Sequence, residues 1–110
     1  MKREKMEKLL KLRNALNDLQ NFVHYFSGGE LPYFYRLLDY MKNNIEIYLI
    51  IRSEDLIQLD EVLYRDWYEA NNMLYGISTF QISSKVCEES IELYHQYALL
   101  VQEVEAYFIS

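Results

Sequence analysis

The chain has 110 residues, a mass of 13.3 kDa and 51% hydrophobic residues, which is the size and composition of one globular domain covering residues 1–110. Its longest apolar run, residues 47–51, is far shorter than the roughly 20 residues that cross a bilayer. The charged start of the chain leads into mixed charged and apolar residues, not into the continuous apolar segment of a secretion signal. We therefore expect a single soluble domain with no membrane span.

The formal net charge of −6 is unevenly distributed along the chain. Residues 1–52 carry nine Lys and Arg against six Asp and Glu, whereas residues 53–110 carry two against eleven. The basic cluster near the start is interspersed with leucines, as on a solvated helix face, so we do not expect a nucleic-acid partner. The opposite charges of the two halves could attract each other within one chain or between two chains.

The single cysteine, Cys87, cannot form a disulfide within the chain, and a lone thiol among apolar neighbours favours a reducing compartment. The chain also uses Ile, Asn, Lys, Tyr and Phe often and Ala, Gly and Pro rarely, as an AT-rich genome would encode. The corresponding hypothesis is a cytoplasmic protein of bacterial or phage origin.

Helix breakers are few, since three glycines and one proline are the only ones, and this predicts an all-α fold. The first predicted helix extends to Phe26, because its apolar residues recur at alternating spacings of three and four, as in a heptad seam. This seam consists of Leu9, Leu12, Leu16, Leu19, Val23 and Phe26. The segment Ser27-Gly28-Gly29 should end this helix, and Pro32 suits the first turn of the next one.

The second predicted helix covers about residues 32–52 and is apolar over most of its circumference. The segment Ser53-Glu54-Asp55 is typical of a helix N-cap with acidic residues in the first turn, so we expect a third helix from there to Gly76. Because no glycine or proline separates these two segments, a single helix over about residues 32–75 is the alternative. We prefer the break, since it gives four helices of similar length that can pack side by side.

The residues after Gly76 are predicted to form an ordered connector, in which Phe80 and Ile82 cover one end of the bundle. Ser83 or Ser84 is expected to cap a fourth helix, which carries a second heptad seam. That seam consists of Val86, Ser90, Leu93, Tyr97, Leu100, Val104 and Tyr107. The pattern predicts an antiparallel four-helix bundle with its core centred on Leu12, Leu16, Leu19, Leu38, Met41, Ile45, Leu59, Leu63, Leu93, Tyr97 and Leu100.

Groups that could support catalysis are scarce, and we expect neither an enzyme nor a cofactor. His24 follows the first seam and should be solvated, while Cys87 flanks the second seam and should be a small buried hydrophobe. Glu92 and His95 have the Glu-x-x-His spacing that resembles half of a ferritin-like di-iron site. Their phase places them opposite the seam, and the second such motif is missing, so we expect no metal site.

Eleven tyrosines distinguish the composition, and most fall on or beside apolar helical rows, where core and boundary packing accounts for them. On the third predicted helix, Trp67 lies between Tyr64 and Tyr68 among acidic residues, and these aromatic types are enriched at binding hot spots. The candidate partner-binding residues are therefore Tyr64, Trp67, Tyr68, Asp60, Glu61, Asp66 and Glu69.

Together these patterns predict a non-enzymatic helical protein–protein interaction module, such as a small adaptor, chaperone, immunity protein or regulator. The alternative is an acidic inhibitor that blocks a basic nucleic-acid-binding or catalytic groove on its target, as in phage or toxin-immunity systems. The broad apolar faces of the second and fourth predicted helices also favour a symmetric homodimer.

Overall fold

A computed structural model describes residues 2–51, 56–88 and 90–109. These residues form four α-helices and no strand, which confirms the predicted all-α fold of four bundle-forming helices. The helices are α1 (Lys2–Phe26), α2 (Tyr33–Ile51), α3 (Leu56–Ala70) and α4 (Ile91–Phe108), and a short 3₁₀ helix (Ile77–Thr79) lies between α3 and α4. Within the described ranges, no helix is long and apolar enough to span a bilayer.

The chain divides into two compact units. Unit 1 comprises Met1–Leu31 with Gln81–Ser110 and contains α1 packed against α4. Unit 2 comprises Pro32–Phe80 and contains α2 packed against α3. The expectation of one domain over residues 1–110 stays a prediction.

The apolar seam of α1 is buried as predicted, since Leu9, Leu12, Leu16, Leu19 and Val23 have almost no exposed surface. The helix ends where the glycines predict, and the backbone N–H of Ser27 donates to the Val23 carbonyl at 2.9 Å. Gly28 and Gly29 follow with φ of 69° and 95°, in the left-handed region that favours glycine. A Cβ on Gly28 would also collide with the Ser83 side chain, so both backbone conformation and space require glycine there.

The antiparallel arrangement of α1 and α4 follows from two contacts between their side chains. Near one end, the Lys5 ammonium lies 4.9 Å from the Tyr107 ring centroid, and further along, the Phe22 and Tyr97 rings are 5.6 Å apart. Tyr97 is buried as predicted, and burial raises the pKa of its phenol above the ordinary value. Leu93 and Leu100, which we expected at the centre of the core, are only half-buried.

The start of α4 differs from the prediction, because Ser90 and not Ser83 or Ser84 is its N-cap. The Ser90 hydroxyl accepts a hydrogen bond from the Leu93 backbone N–H at 3.1 Å, and Glu92 places a carboxylate in the first turn. Ser83 instead closes a local turn, in which its hydroxyl accepts from the Lys85 N–H at 3.2 Å. Val86 and Cys87 therefore belong to the connector and not to the seam of α4.

Helices α2 and α3 also run antiparallel, as two separate helices and not as the alternative single helix. The end of α2, represented by Asn44 and Ile51, lines one groove together with Gln58 and Val62 from the start of α3. At the opposite end, Leu37 of α2 lies beside the second half of α3. The predicted N-cap segment, residues 53–55, lies outside the described residues.

The core of unit 2 contains the predicted residues of both its helices. The buried set is Phe34, Leu37, Leu38, Met41 and Ile45 on α2 and Leu59, Leu63, Asp66, Trp67 and Ala70 on α3. Phe80, predicted to be buried in the connector, packs edge-on against Phe34 with ring centroids 6.2 Å apart. Ile82, which belongs to unit 1, is buried as well.

Helix α3 ends at Ala70, six residues before the predicted end at Gly76. Two asparagines cause this. The Asn71 amide donates to the Trp67 carbonyl at 2.8 Å, and the Asn72 side chain accepts from the Leu74 N–H at 2.8 Å. The Asn71 backbone N–H keeps its helical bond to the Trp67 carbonyl at 3.1 Å, whereas the bond to Asn72 takes the Leu74 N–H away from helical pairing and favours a turn. Gly76 precedes the 3₁₀ helix instead of ending α3.

The cap of α4 gives the first testable prediction. Ser90→Ala should lower the free energy of unfolding by about 1 kcal/mol, because the Leu93 N–H loses its acceptor. The matched control is Ser84→Ala in the exposed connector, which should change stability by less than about 0.5 kcal/mol. Urea denaturation followed by circular dichroism measures both. Equal losses for the two variants would contradict the observed start of α4.

Candidate binding groove on α3

Five of the seven predicted site residues line one open groove on unit 2, with a volume of about 670 Å³. We call it the tyrosine groove, and its lining residues are Leu37, Glu61, Tyr64, Arg65, Asp66, Tyr68 and Glu69. The predicted members are Glu61, Tyr64, Asp66, Tyr68 and Glu69. A groove of this size can hold a side chain or a short peptide segment of a partner.

Two tyrosines supply the aromatic surface of the groove. Tyr64 is 50% exposed and Tyr68 is 83% exposed. They lie four residues apart on α3, so both rings project from the same side of the helix. Leu37 from α2 is buried beside them and adds an apolar contact surface. An exposed tyrosine pair next to an apolar side chain is the composition typical of a protein-binding surface.

Asp66 is the unusual member, because its carboxylate is buried in the face of α3 that packs inward. The residue is only 4% exposed, and within the described ranges its Oδ2 atom has no hydrogen-bond partner. Its Oδ1 atom lies 3.4 Å from both the Nε and the terminal nitrogen of Arg65, whose side chain is 70% exposed. A buried carboxylate with only one long, partly solvated contact is costly to the fold, since its hydration is not replaced.

Glu69 is held at one end of the groove by a tyrosine that the sequence did not indicate. The Tyr75 hydroxyl donates to Glu69 Oε1 at 2.7 Å, and the Tyr75 ring packs edge-on against Tyr33 with centroids 5.4 Å apart. The hydrogen bond to Glu69 raises the pKa of the Tyr75 phenol, because ionisation would place two negative charges side by side. The contact fixes Glu69 although both residues lie near the surface.

Trp67 and Asp60 do not line the groove. Trp67 is only 5% exposed, so its ring packs in the interior and is not part of the exposed aromatic surface that we expected. Asp60 is half-buried and lies one residue before Glu61, the first groove residue on α3. The sequence does contain a signal for the burial of Asp66. Positions 59, 63, 66 and 70 follow one another at spacings of four, three and four, so Asp66 lies on the same buried row of α3 as Leu59, Leu63 and Ala70.

Two groove residues, Leu37 and Arg65, were not among the predicted site residues. Leu37 could only be recognised once the antiparallel packing of α2 and α3 was known. Glu61 lies four residues before Arg65, a spacing that allows an ion pair on a helix, but the Arg65 guanidinium lies against the neighbouring Asp66. The Glu61 side chain is exposed at the groove.

Outside the groove, the side chains considered for chemistry do not converge. His24, Glu92 and His95 are exposed, as their helical phase predicted. Cys87 is a free, half-buried cysteine in the connector, where we had expected it to flank the seam of α4. Among residues 2–51, 56–88 and 90–109, no group of three or more His, Cys, Asp or Glu side chains could hold a metal ion.

Four isoleucines near the end of α2 and the start of α3 are also exposed. Ile47, Ile50, Ile51 and Ile57 are between 53% and 78% exposed. Ile47 and Ile51 line a groove shared with α3. Single exposed apolar residues are ordinary, but two exposed isoleucines in one groove are typical of a surface that a partner covers.

Comparison of this chain with protein-family models, with curated protein sequences and with solved structures finds no match.

The contact between Tyr75 and Glu69 gives the second prediction. Glu69→Ala should lower the pKa of Tyr75 toward its ordinary value of 10.0, because both the hydrogen bond and the nearby charge are removed. The bond stabilises the fold below the ordinary pKa, and this contribution is lost as the pH rises through the raised pKa. NMR titration of ring-labelled tyrosine measures the shift. Glu61→Ala, also on α3, should leave the Tyr75 pKa unchanged, and an equal shift in both variants would contradict the contact.

Proposed function

We propose that this protein is a non-enzymatic protein-interaction module that binds its partner through the tyrosine groove. The observation that carries the proposal is the exposed pair of Tyr64 and Tyr68 beside buried Leu37 in one groove. Tyrosines combine a large apolar ring with a polar hydroxyl and lose little conformational freedom on binding, so they contribute strongly to interfaces. Trp67 has a different role in the proposal, since its packing sets the orientation of α3 and it does not contact the partner.

The alternative of an acidic inhibitor receives less support from the same surface. Such a protein needs an array of accessible carboxylates that can occupy a basic groove. Of the four predicted acidic residues, Glu61 is exposed, Asp60 is half-buried, Asp66 is buried, and Glu69 is bonded to Tyr75. The aromatic part of the groove is therefore a better basis for recognition than its charge alone.

We also propose that the protein forms a symmetric homodimer and acts in the cytoplasm. The exposed isoleucines Ile47, Ile50, Ile51 and Ile57 support the dimer, because a second copy would remove these side chains from water. The free Cys87 thiol supports a reducing compartment. The tyrosine groove and these isoleucines involve different residues, so one chain could bind a partner and a second copy at the same time.

The third prediction tests the binding surface by site-specific photo-crosslinking in the source cell. A photo-reactive phenylalanine at Tyr68 should form a discrete covalent product with one partner protein. The additional change Tyr64→Ser should reduce its yield several-fold, because a neighbouring contact is lost. Tyr68 is 83% exposed, so the replacement does not disturb the core.

The matched control places the same photo-reactive residue at Tyr25 of α1, which is 65% exposed but lies in unit 1. No such product should form from this position. Identical products from both positions, or no product from Tyr68, would overturn the proposed function.

The fourth prediction concerns assembly. Light scattering should give a particle of about twice the chain mass of 13.3 kDa, and the double variant Ile50→Ser/Ile57→Ser should shift it to the mass of one chain. The control is Ile91→Ser on α4, which is 88% exposed but lies in unit 1 and should leave the dimer intact. A wild-type particle with the mass of one chain at high micromolar concentration would contradict the dimer.

A further inference from the structure

On α2, the tyrosine groove is flanked by two more exposed tyrosines. Tyr33 lies four residues before Leu37 and Tyr40 lies three residues after it, so all three are on one side of α2. Tyr33 and Tyr40 are 52% and 48% exposed, whereas Leu37, the aliphatic lining residue of the groove, is only 6% exposed. Together with Tyr64 and Tyr68 on α3, they give the groove and its flanks an exposed surface made mainly of aromatic rings.

On α3, the exposed groove residues form a row with a defined order. Glu61, Tyr64 and Tyr68 follow one another at spacings of three and four, so they share one side of the helix. Arg65 lies beside this row, and 70% of its side chain is exposed. A guanidinium has five N–H donors, and the two contacts of Arg65 with Asp66 are long, at 3.4 Å. The row therefore offers a carboxylate, two rings and guanidinium donors.

The common modes of peptide recognition need different surfaces, and one of them fits this groove. Addition of a strand needs a sheet edge, and residues 2–51, 56–88 and 90–109 contain no strand. An amphipathic helix needs exposed aliphatic side chains along its groove, and a phosphorylated peptide needs a cluster of arginines, but here Glu61 and Glu69 accompany the one Arg65. A proline-rich segment in the polyproline II conformation needs aromatic rings for its prolines and donors for its carbonyls, and the groove has both.

The spacing of the two rings also matches the polyproline II repeat. Tyr64 and Tyr68 lie four residues apart, which is about 6 Å along an α-helix. A polyproline II helix rises about 3.1 Å per residue, so two of its residues cover about the same distance. The whole row from Glu61 to Tyr68 is about 10 Å long, which corresponds to about three residues of such a segment. Two prolines and one charged residue therefore fit along it.

We propose that the tyrosine groove binds an extended, proline-rich segment of the partner protein that carries a basic residue beside its prolines. This rests on the proposed function and adds the chemistry of the partner. The proline rings pack on Tyr64 and Tyr68, and the basic residue lies beside Glu61. Arg65 donates to the backbone carbonyls of the segment, which have no partner within a polyproline II helix. Because such a segment is already extended before it binds, it loses little conformational entropy.

The fifth prediction uses a peptide of five prolines followed by one arginine, with both ends blocked, titrated into the isotope-labelled full-length protein at low salt and followed by NMR. Shifts should concentrate on α3 from Glu61 to Tyr68. The matched control ligand has five glycines in place of the prolines and should bind about tenfold more weakly, because it lacks the rings and the extended conformation. A third peptide, with citrulline in place of arginine, should bind about threefold more weakly than the first, because it lacks the charge.

Two variants at exposed positions separate the rings from the charge. Tyr68→Ser, at a position that is 83% exposed, should reduce the preference for proline over glycine from about tenfold to about twofold and keep the preference for arginine. Glu61→Gln should remove the preference for arginine over citrulline and keep the preference for proline. The control Tyr25→Ser, at a position of unit 1 that is 65% exposed, should change neither preference.

Equal binding of the proline and glycine peptides, or an unchanged proline preference in Tyr68→Ser, would overturn the proline-rich ligand. Tighter binding of an amphipathic helical peptide of leucine and lysine at the same residues would also overturn it, and an unchanged arginine preference in Glu61→Gln would overturn the place of the basic residue. If the Tyr68 photo-crosslink still identifies a partner in these cases, the proposed function stands and only its chemistry is wrong. If proline is preferred but no partner crosslinks at Tyr68, the proline site is supported and the proposed function fails.

Discussion

Each helix of this chain hides one row of apolar side chains, and burial of these rows offsets the conformational entropy that is lost on folding. The rows set the rotation of every helix about its axis. On α3, Leu63, Trp67 and Ala70 face inward, so Tyr64 and Tyr68 must face outward. The same constraint places Asp66 on the buried side between Leu63 and Ala70. The exposed tyrosines and the buried carboxylate are therefore two consequences of one packing requirement.

The groove also depends on contacts with residues outside α3. Leu37 reaches it because α2 runs antiparallel to α3, and Glu69 is oriented by Tyr75 from the segment after α3. That segment is positioned in turn by the asparagine-mediated end of α3 and by the contact of Tyr75 with Tyr33. A surface built from three parts of unit 2 presents its side chains in a defined geometry, as selective recognition requires.

Local signals decided which parts of the fold could be predicted from the sequence. The end of α1 and the start of α2 carry glycine and proline, whose backbone preferences are strong, and both boundaries lie where they indicate. The end of α3 and the start of α4 depend on hydrogen bonds of Asn72 and Ser90, which the apolar spacing does not indicate because it continues past both positions. Periodicity identifies apolar rows well but does not show where a helix stops.

The candidate site, like the fold, could be predicted only in part from the sequence. Four of the residues chosen for the aromatic and acidic composition of α3, namely Tyr64, Tyr68, Glu61 and Glu69, line one groove, and their role in binding stays a prediction. Composition alone grouped Trp67 and Asp66 with the exposed residues, whereas the spacing of Leu59, Leu63 and Ala70 places residue 66 on the buried row. Arg65 could not be placed either, because choosing between Glu61 and Asp66 requires knowing which carboxylate is buried.

The discontinuity of unit 1 has a consequence for the order in which the chain folds. Unit 2 is continuous in sequence, and contacts of Tyr33 with Tyr75 and of Phe34 with Phe80 bring its own two ends together. Once these contacts form, the effective loop that must be closed to pair α1 with α4 is far shorter than the intervening sequence. We therefore expect the α2–α3 hairpin to form early and the α1–α4 pair to follow it. The rate at which α1 pairs with α4 should then depend on how stable the α2–α3 hairpin is.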